Sequence, residues 1–86
     1  MYRILLDREA RRQLDDLQFK DFKRISEAIA KLKDNPRPRR VEKLKGQIYR
    51  IRSGRYRVIY TILDDERVII IHEVVPRREE TYKKYR

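Results

Sequence analysis

Residues 48–60 of this 86-residue chain read Ile-Tyr-Arg-Ile-Arg-Ser-Gly-Arg-Tyr-Arg-Val-Ile-Tyr, and they are the most informative part of the sequence about its fold. Basic and apolar residues alternate on both sides of Ser53 and Gly54, and such alternation is typical of half-buried strands. A Ser-Gly pair between two strands predicts a two-residue turn. The stretch is therefore interpreted as a β-hairpin with strands Ile48–Arg52 and Arg55–Leu63.

Four arginines share one face of this predicted hairpin, because side chains alternate with period two along a strand. The predicted turn pairs Arg52 with Arg55. The next pair on the same face is Arg50 with Arg57. Like charges directly opposite each other destabilise a sheet, so two such pairs weaken the fold. A polyanion lying across the face would offset this repulsion, and phosphates are the leading candidate.

The remaining sequence predicts a single α+β domain over residues 1–86. Its two helices form an antiparallel hairpin packed on one face of a small, mainly antiparallel twisted sheet, with residues 77–86 as a short C-terminal tail or helix. The first predicted element is a strand over Tyr2–Leu6, followed by a helix that Asp7 caps and that buries Ala10, Leu14 and Leu17. A second helix is predicted over Asp21–Lys33, with Phe22, Ile25, Ile29 and Leu32 in the core. Besides the hairpin, two more strands are predicted, over Val41–Lys45 and Arg67–Val75.

The only histidine of the chain, His72, falls in the last of these strands. A two-residue loop at Asp64 and Asp65 would place His72 opposite Arg57, on the face of the arginines. Such a position would suit acid–base chemistry. A single histidine in an apolar strand is, however, more often a structural residue.

Positive charge is concentrated around the hairpin. The chain carries a net charge of +10, and residues 37–57 alone hold nine lysines and arginines against a single acid, Glu42. A concentrated patch predicts a docking surface for an anion, whereas a merely solvated face usually mixes both signs.

The composition also excludes several classes of site. Cysteine is absent, which rules out disulfides and thiolate metal sites, and the carboxylates are scattered, so neither a metal nor another cofactor is expected. No signal peptide or apolar segment of membrane-spanning length is present, which predicts a cytoplasmic protein with no membrane partner.

Four motifs carry a family resemblance: Lys-Leu-Lys-Gly at 43–46, Tyr-Arg-Ile-Arg at 49–52, Gly-Arg-Tyr-Arg-Val-Ile-Tyr at 54–60 and Arg-Arg-Glu-Glu-Thr-Tyr at 77–82. With the order of elements, they resemble the RelE family of toxins from prokaryotic toxin–antitoxin pairs over essentially the whole chain. The most specific part is the hairpin combined with Arg78 and Tyr82. The resemblance implies an mRNA interferase that works in the ribosomal A site, in contact with the ribosome and its rRNA. A co-expressed, acidic RelB-like antitoxin would silence it.

The resemblance also implies which residues act on RNA. The catalytic set would be Arg50, Arg52, Arg57, Arg78 and Tyr82, and the RNA-binding set would be Lys43, Lys45, Arg55, Arg77 and Tyr85. Cleavage would be metal-independent, by attack of the 2′-hydroxyl to give a 2′,3′-cyclic phosphate. Family members often carry lysines on the first hairpin strand, where this chain has arginines that do not readily give up a proton. The general base is therefore expected to be Tyr82, with Tyr85 and His72 as alternatives.

Two other functions stay open at this point. ParE-like toxins of the same superfamily poison DNA gyrase and lack the basic nuclease set, so the presence of that set here favours RNA cleavage. A non-catalytic basic module that only clamps RNA would explain the arginines but not the Arg78 and Tyr82 ending.

Overall fold

The computed structural model describes residues 1–77, which fold into a five-stranded mixed sheet with two helices on one face. The elements are β1 (Arg3–Leu6), α1 (Arg8–Asp15), α2 (Phe19–Lys31), β2 (Glu42–Lys45), β3 (Ile48–Ser53), β4 (Tyr56–Leu63) and β5 (Val68–Pro76). The strand order is β1-β5-β4-β3-β2; β1 runs parallel to β5 and the other pairs are antiparallel. The predicted α+β class is confirmed. Helices α1 and α2, the two that the structure describes over residues 1–77, are too short to span a bilayer.

The two helices follow the predicted apolar spacing, with small corrections at their ends. Helix α2 begins and ends two residues before the predicted range. Phe22 was expected in the core, and this is wrong, since 36% of the residue is exposed. Asp7 stands at the N-cap of α1 in an extended conformation, but its side chain does not cap the helix. That carboxylate binds His72 instead.

The core lies between the helices and one face of the sheet. The largest of its fully buried side chains is Tyr60, which packs beside Tyr49 with ring centroids 6.1 Å apart. The buried members of the core are Ala10, Leu14, Ile25, Ile29, Leu32, Tyr49, Ile51, Val58, Tyr60, Ile62, Ile69, Ile71 and Val74. Since these strand residues alternate with Arg50, Arg52 and Arg57, the packing directs the three arginines to the opposite face.

The turn of the arginine hairpin lies one residue later than predicted. Gly54 and Arg55 form the two-residue loop, and Ser53 pairs with Tyr56. Gly54 has φ +59°, at the first central position, which type II′ turns reserve for glycine. Arg52 therefore lies opposite Arg57, so the predicted pairing of Arg52 with Arg55 is wrong.

The predicted pairing of Arg50 with Arg57 is wrong for the same reason, because Arg50 lies opposite Ile59. The shift amounts to two residues on the second strand. A shift of two keeps every side chain on its predicted face. The hairpin thus has one cross-strand arginine pair instead of two.

The predicted position of His72 opposite Arg57 is also wrong. The loop between β4 and β5 has four residues, since Leu63 pairs with Val68, and a bulge between Ile59 and Tyr60 shifts the register again. Val75 consequently lies opposite Arg57. The loop ends at Arg67, which has φ +56°, a left-handed conformation that no local pattern predicts at an arginine.

Candidate nucleic-acid interface

Arg50, Arg52 and Arg57 lie on the sheet face opposite the helices, which we call the arginine face. Directly paired residues share a face, so two rows of side chains cross the three central strands. One row runs from Arg52 through Arg57 to Val75, and the other from Arg50 through Ile59 to Glu73. The arginine face therefore includes a carboxylate, Glu73, which is only 4% exposed.

Glu42 clamps the first of these arginines. It lies opposite Arg50 on the neighbouring strand, and its Oε2 forms an ion pair of 2.6 Å with Nη2 of Arg50. The side chain of Arg50 is 8% exposed, whereas that of Glu42 is 50% exposed. The other carboxylate oxygen is 4.0 Å from Nη2 of Arg52. The Arg50 hydrogen bond lowers the pKa of Glu42, so this carboxylate is charged at neutral pH.

A basic cleft of about 730 Å³ lies at the end of the hairpin, beside the Arg52–Arg57 pair. Its described lining is Arg55, Tyr56, Arg57, Pro76 and Arg77. The backbone N–H of Arg77 donates to the carbonyl of Arg55 over 2.8 Å, which ties the end of β5 to the turn. The cleft thus brings together three of the predicted basic site residues.

The other predicted site residues are placed less uniformly. Lys45 pairs with Ile48 and shares the arginine face, at the far end of the sheet. Lys43 pairs with Tyr49 and so belongs to the helix-facing side of its strand. Arg78, Tyr82 and Tyr85 lie outside the described residues.

His72 occupies a hydrogen-bonded chain away from the cleft. Its Nε2 is 2.7 Å from the hydroxyl of Thr61, and its Nδ1 is 2.7 Å from the carboxylate of Asp7. This chain connects β4, β5 and the start of α1 on the arginine-bearing side of the sheet. The contacts favour a structural role for the imidazole.

Arg37 belongs to the basic segment that the sequence singled out, but it is used inside the fold. Its guanidinium donates to both oxygens of Asp64, at 3.2 and 2.8 Å, and through Nε to the hydroxyl of Tyr49. The hydroxyl of Tyr2 donates to the same carboxylate over 2.6 Å. These donors lower the pKa of Asp64 to about 2. Arg37 is therefore already paired and adds little to an anion-binding surface.

The sequence analysis missed the importance of three residues, which are Glu42, Glu73 and Arg37. Glu42 could have been found, because it is the single acid among nine bases in residues 37–57 and falls in the predicted strand just before the hairpin. The Arg37–Asp64 pair joins residues 27 positions apart, and no local pattern predicts it.

Comparison with known proteins gives concordant results. Residues 4–81 match the family model described as the ParE toxin of the type II toxin–antitoxin system, parDE. A relative from Methanocaldococcus jannaschii, named as a candidate toxin, RelE1, is 37% identical over 87 residues, covering 95% of this chain and 96% of the relative.

Solved structures share the architecture. The archaeal RelE–RelB complex from Pyrococcus horikoshii OT3 matches with a TM-score of 0.83 and 33% identity, covering 91% of this chain and 97% of that chain. The isolated E. coli RelE toxin matches with a TM-score of 0.80 over 98% of this chain and 94% of that chain. At 19% identity, the second likeness concerns the fold alone.

Proposed function

Because this chain belongs to the ParE toxin family of type II toxin–antitoxin systems, within the RelE/ParE superfamily, we propose that it is a RelE-type toxin that cleaves mRNA in the ribosomal A site. The observation that carries the proposal is the cross-strand pair of Arg52 and Arg57 beside the cleft that Arg55 and Arg77 line. Two guanidinium groups held opposite each other beside a basic cleft offer preorganised donors to a phosphate backbone.

In the proposed reaction the 2′-hydroxyl oxygen attacks the adjacent phosphorus, and the 5′-oxygen of the next nucleotide leaves. The products are a 2′,3′-cyclic phosphate and a 5′-hydroxyl. One proton passes from the 2′-hydroxyl to a base, and one is delivered to the departing oxygen. The phosphorane carries additional negative charge, which preorganised guanidinium donors stabilise more strongly than the ground state.

The positions of Arg50, Arg52 and Arg57 support the roles proposed for them, and the role of Arg78 is proposed from the family resemblance. Arg57 lines the cleft and is assigned to the phosphorane, while the half-exposed Arg52 holds a flanking phosphate. Arg78 is assigned to the leaving oxygen. Arg50 is nearly buried against Glu42 and acts on the site by fixing the carboxylate that also faces Arg52.

The proton path rests on the C-terminal segment. Tyr82 is assigned as the base, because a cluster of guanidinium groups favours the phenolate over the phenol. Tyr85 is the alternative in the same segment, three residues further on. The hydrogen bonds of His72 to Thr61 and Asp7 argue against histidine as the base.

An acidic RelB-like antitoxin is the proposed protein partner. The net charge of +10 favours capture of an acidic chain, and opposite charges steer association. The Pyrococcus horikoshii relative was crystallised with RelB, which supports the same pairing here.

The test is to incubate the purified chain with ribosomes programmed with a defined mRNA and to analyse the RNA ends. The proposal expects cleavage that leaves 2′,3′-cyclic phosphate and 5′-hydroxyl ends, which attack by a water molecule would not leave. The family-model match to ParE motivates a parallel assay of DNA gyrase supercoiling, in which no inhibition is expected. Gyrase inhibition with intact mRNA would replace the nuclease by a gyrase poison. Binding of RNA without cleavage would reduce the chain to a binding module.

A further inference from the structure

The basic cleft at the end of the hairpin is lined by two residues that the proposed chemistry does not use, Tyr56 and Pro76. They are direct partners across β4 and β5, at the end of that ladder nearest the turn. Directly paired residues of an antiparallel pair have Cβ atoms about 4.5–5.5 Å apart. The rings of Tyr56 and Pro76 therefore lie side by side and form one wall of the cleft.

The side chain of Tyr56 is held by the fold only in part. Residues 1–77 contain four tyrosines, and the hydroxyls of Tyr2, Tyr49 and Tyr60 each take part in a hydrogen bond within the fold. The hydroxyl of Tyr56 takes part in none within these residues. Its ring is partly exposed and packs on the edge of the core. The core thus fixes one side of this ring, and the rest of the ring is left to the cleft.

Positive charge surrounds this wall of the cleft. Arg55 and Arg77 are exposed, and within residues 1–77 neither of them forms an ion pair. Arg57 lines the cleft from the arginine face. An aromatic ring beside a basic groove is the combination that binds single-stranded nucleic acid, because the cations follow the phosphates and the ring stacks on a base.

The size of the cleft fits a single nucleotide. Its volume of about 730 Å³ lies within the range of about 300–1,000 Å³ that is usual for small-molecule sites. The backbone hydrogen bond between Arg77 and Arg55 closes the end of the sheet beside it. A base can therefore enter beside the Tyr56 ring while its phosphate stays among the guanidinium groups.

We propose that Tyr56 and Pro76 form a base-binding subsite, in which the Tyr56 ring stacks on one nucleobase of the RNA strand. The inference rests on the proposed function in taking RNA as the ligand of the cleft. It adds what the arginines do not supply, since contacts to phosphates position a strand without holding its bases. A base held on Tyr56 restricts the rotation of its nucleotide beside Arg57, and such positioning favours the in-line geometry that cleavage requires.

The lining of the subsite predicts that it recognises the face of a base and not its edge. Base identity is read by hydrogen bonds to the edge of the base. The Pro76 ring has no donor or acceptor, and the Tyr56 hydroxyl is the one uncharged hydrogen-bonding group among the described side chains of the cleft. Stacking accepts every base, and its preferences follow stacking strength. Adenine should therefore bind more tightly than uracil, and neither base should be excluded.

The absence of tryptophan from the chain allows a direct test of this subsite. Tyr56→Trp introduces a single tryptophan into the cleft, and stacking of a base on the indole quenches its fluorescence. The matched control is Phe19→Trp at the start of α2, where the native side chain is 76% exposed. The ligands are a nine-nucleotide 2′-O-methyl oligoadenylate, whose blocked 2′-oxygen cannot attack, and an abasic strand with the same number of phosphates.

The oligoadenylate should quench the fluorescence of Tyr56→Trp by at least half at saturation and low salt, and that of Phe19→Trp by less than a tenth. The abasic strand should leave both signals nearly unchanged. Equal quenching by the two strands would mean that the cleft binds phosphates alone, and would overturn the proposal. Equal quenching of the two variants, or no saturable quenching of Tyr56→Trp, would overturn it as well.

A second measurement uses the affinity of the same strands, labelled with fluorescein and followed by anisotropy. Tyr56→Leu should weaken binding of the oligoadenylate at least fivefold, which is the lower limit expected for the loss of one stacked base. Tyr56→Phe keeps the ring and should weaken it less than twofold. The abasic strand should bind the wild type and Tyr56→Leu equally. Unchanged affinity of folded Tyr56→Leu for the oligoadenylate would contradict the subsite, and the tryptophan variant decides the question if the leucine variant does not fold.

Failure of the subsite can be told apart from failure of the proposed nuclease. The 2′-O-methyl strand is bound without being cleaved, so the quenching of Tyr56→Trp reports on the subsite whether or not the chain cuts RNA. Cleavage of mRNA by a Tyr56→Trp protein that oligoadenylate does not quench would leave the proposed function in place and overturn the subsite alone.

Discussion

Replacing Glu42 with glutamine should destabilise the protein through a single, nearly buried arginine. The carboxylate contacts Nη2 of Arg50 at 2.6 Å, and the Arg50 side chain is only 8% exposed. The amide keeps the shape and one hydrogen bond but removes the charge. A hydrogen bond to a charged partner contributes about 1.5–3 kcal/mol, against about 0.5–1.5 kcal/mol for a neutral one.

The expected loss is smaller than for a fully buried pair, because the Glu42 side chain is 50% exposed and water screens its charge. We expect about 1–2 kcal/mol in the free energy of unfolding at pH 7. In a domain of this size that lowers the melting temperature by roughly 5–15 °C. The matched control is Glu66→Gln, which makes the same change of charge in the exposed turn before β5.

The measurement is thermal and urea unfolding of the wild type and both variants at pH 7 and pH 3. The pKa of Glu42 is lowered in the fold, so its contribution is fully present above the ordinary value of 4.5 and is lost as the pH falls through the folded pKa. The gap between wild type and Glu42→Gln should therefore narrow in acid. A gap below about 0.5 kcal/mol at pH 7, or one equal to that of Glu66→Gln, would refute the role of the clamp.

Three further outcomes are expected. Asp64→Asn should make stability depend less on pH between about pH 4 and pH 2. The pKa of Asp64 falls from 3.8 to about 2 in the fold, so the stabilising contribution of its carboxylate is lost as the pH drops through that range. If the urea midpoint of the variant changes with pH as steeply as that of the wild type, this prediction is wrong. Arg67→Gly should raise the free energy of unfolding by about 1 kcal/mol in urea titrations, since φ +56° strains an arginine and not a glycine; a loss of stability would contradict this. Tyr82→Phe should slow single-turnover mRNA cleavage by roughly two to four powers of ten, and Tyr85→Phe should leave it nearly unchanged; the reverse pattern would move the base to Tyr85.

The faces of the sheet were predictable from sequence, whereas the register was not. Alternation over residues 48–60 assigns Arg50, Arg52 and Arg57 to one face. Moving a two-residue turn by one position shifts the cross-strand pairing by two residues, which leaves every side chain on the same face. The cross-strand pairing depends on which residue occupies the first position of the turn, where the backbone is left-handed. Gly54 takes it, so the turn is Gly54-Arg55.

The errors around His72 have a similar origin. A four-residue loop and a bulge each change the register, and neither has a clear local signal, since the residue with φ +56° is Arg67. The contact of His72 with Asp7 joins positions 65 residues apart, which no local pattern predicts. Charge counting along the chain could not show that Arg37 and Arg50 are already paired with carboxylates.

The most direct test of the proposed nuclease site is single-turnover cleavage of mRNA on programmed ribosomes by Arg57→Ala, with the toxin in excess. Arg8→Ala, an exposed position on α1 with the same change of charge, is the control, and both variants are first checked for wild-type unfolding behaviour. Loss of a preorganised donor to the phosphorane should slow cleavage by at least 100-fold in Arg57→Ala, roughly the loss seen for an oxyanion donor, and less than twofold in Arg8→Ala. A folded Arg57→Ala protein that cleaves at the parental rate would contradict the assignment of the arginine face as the RNA site.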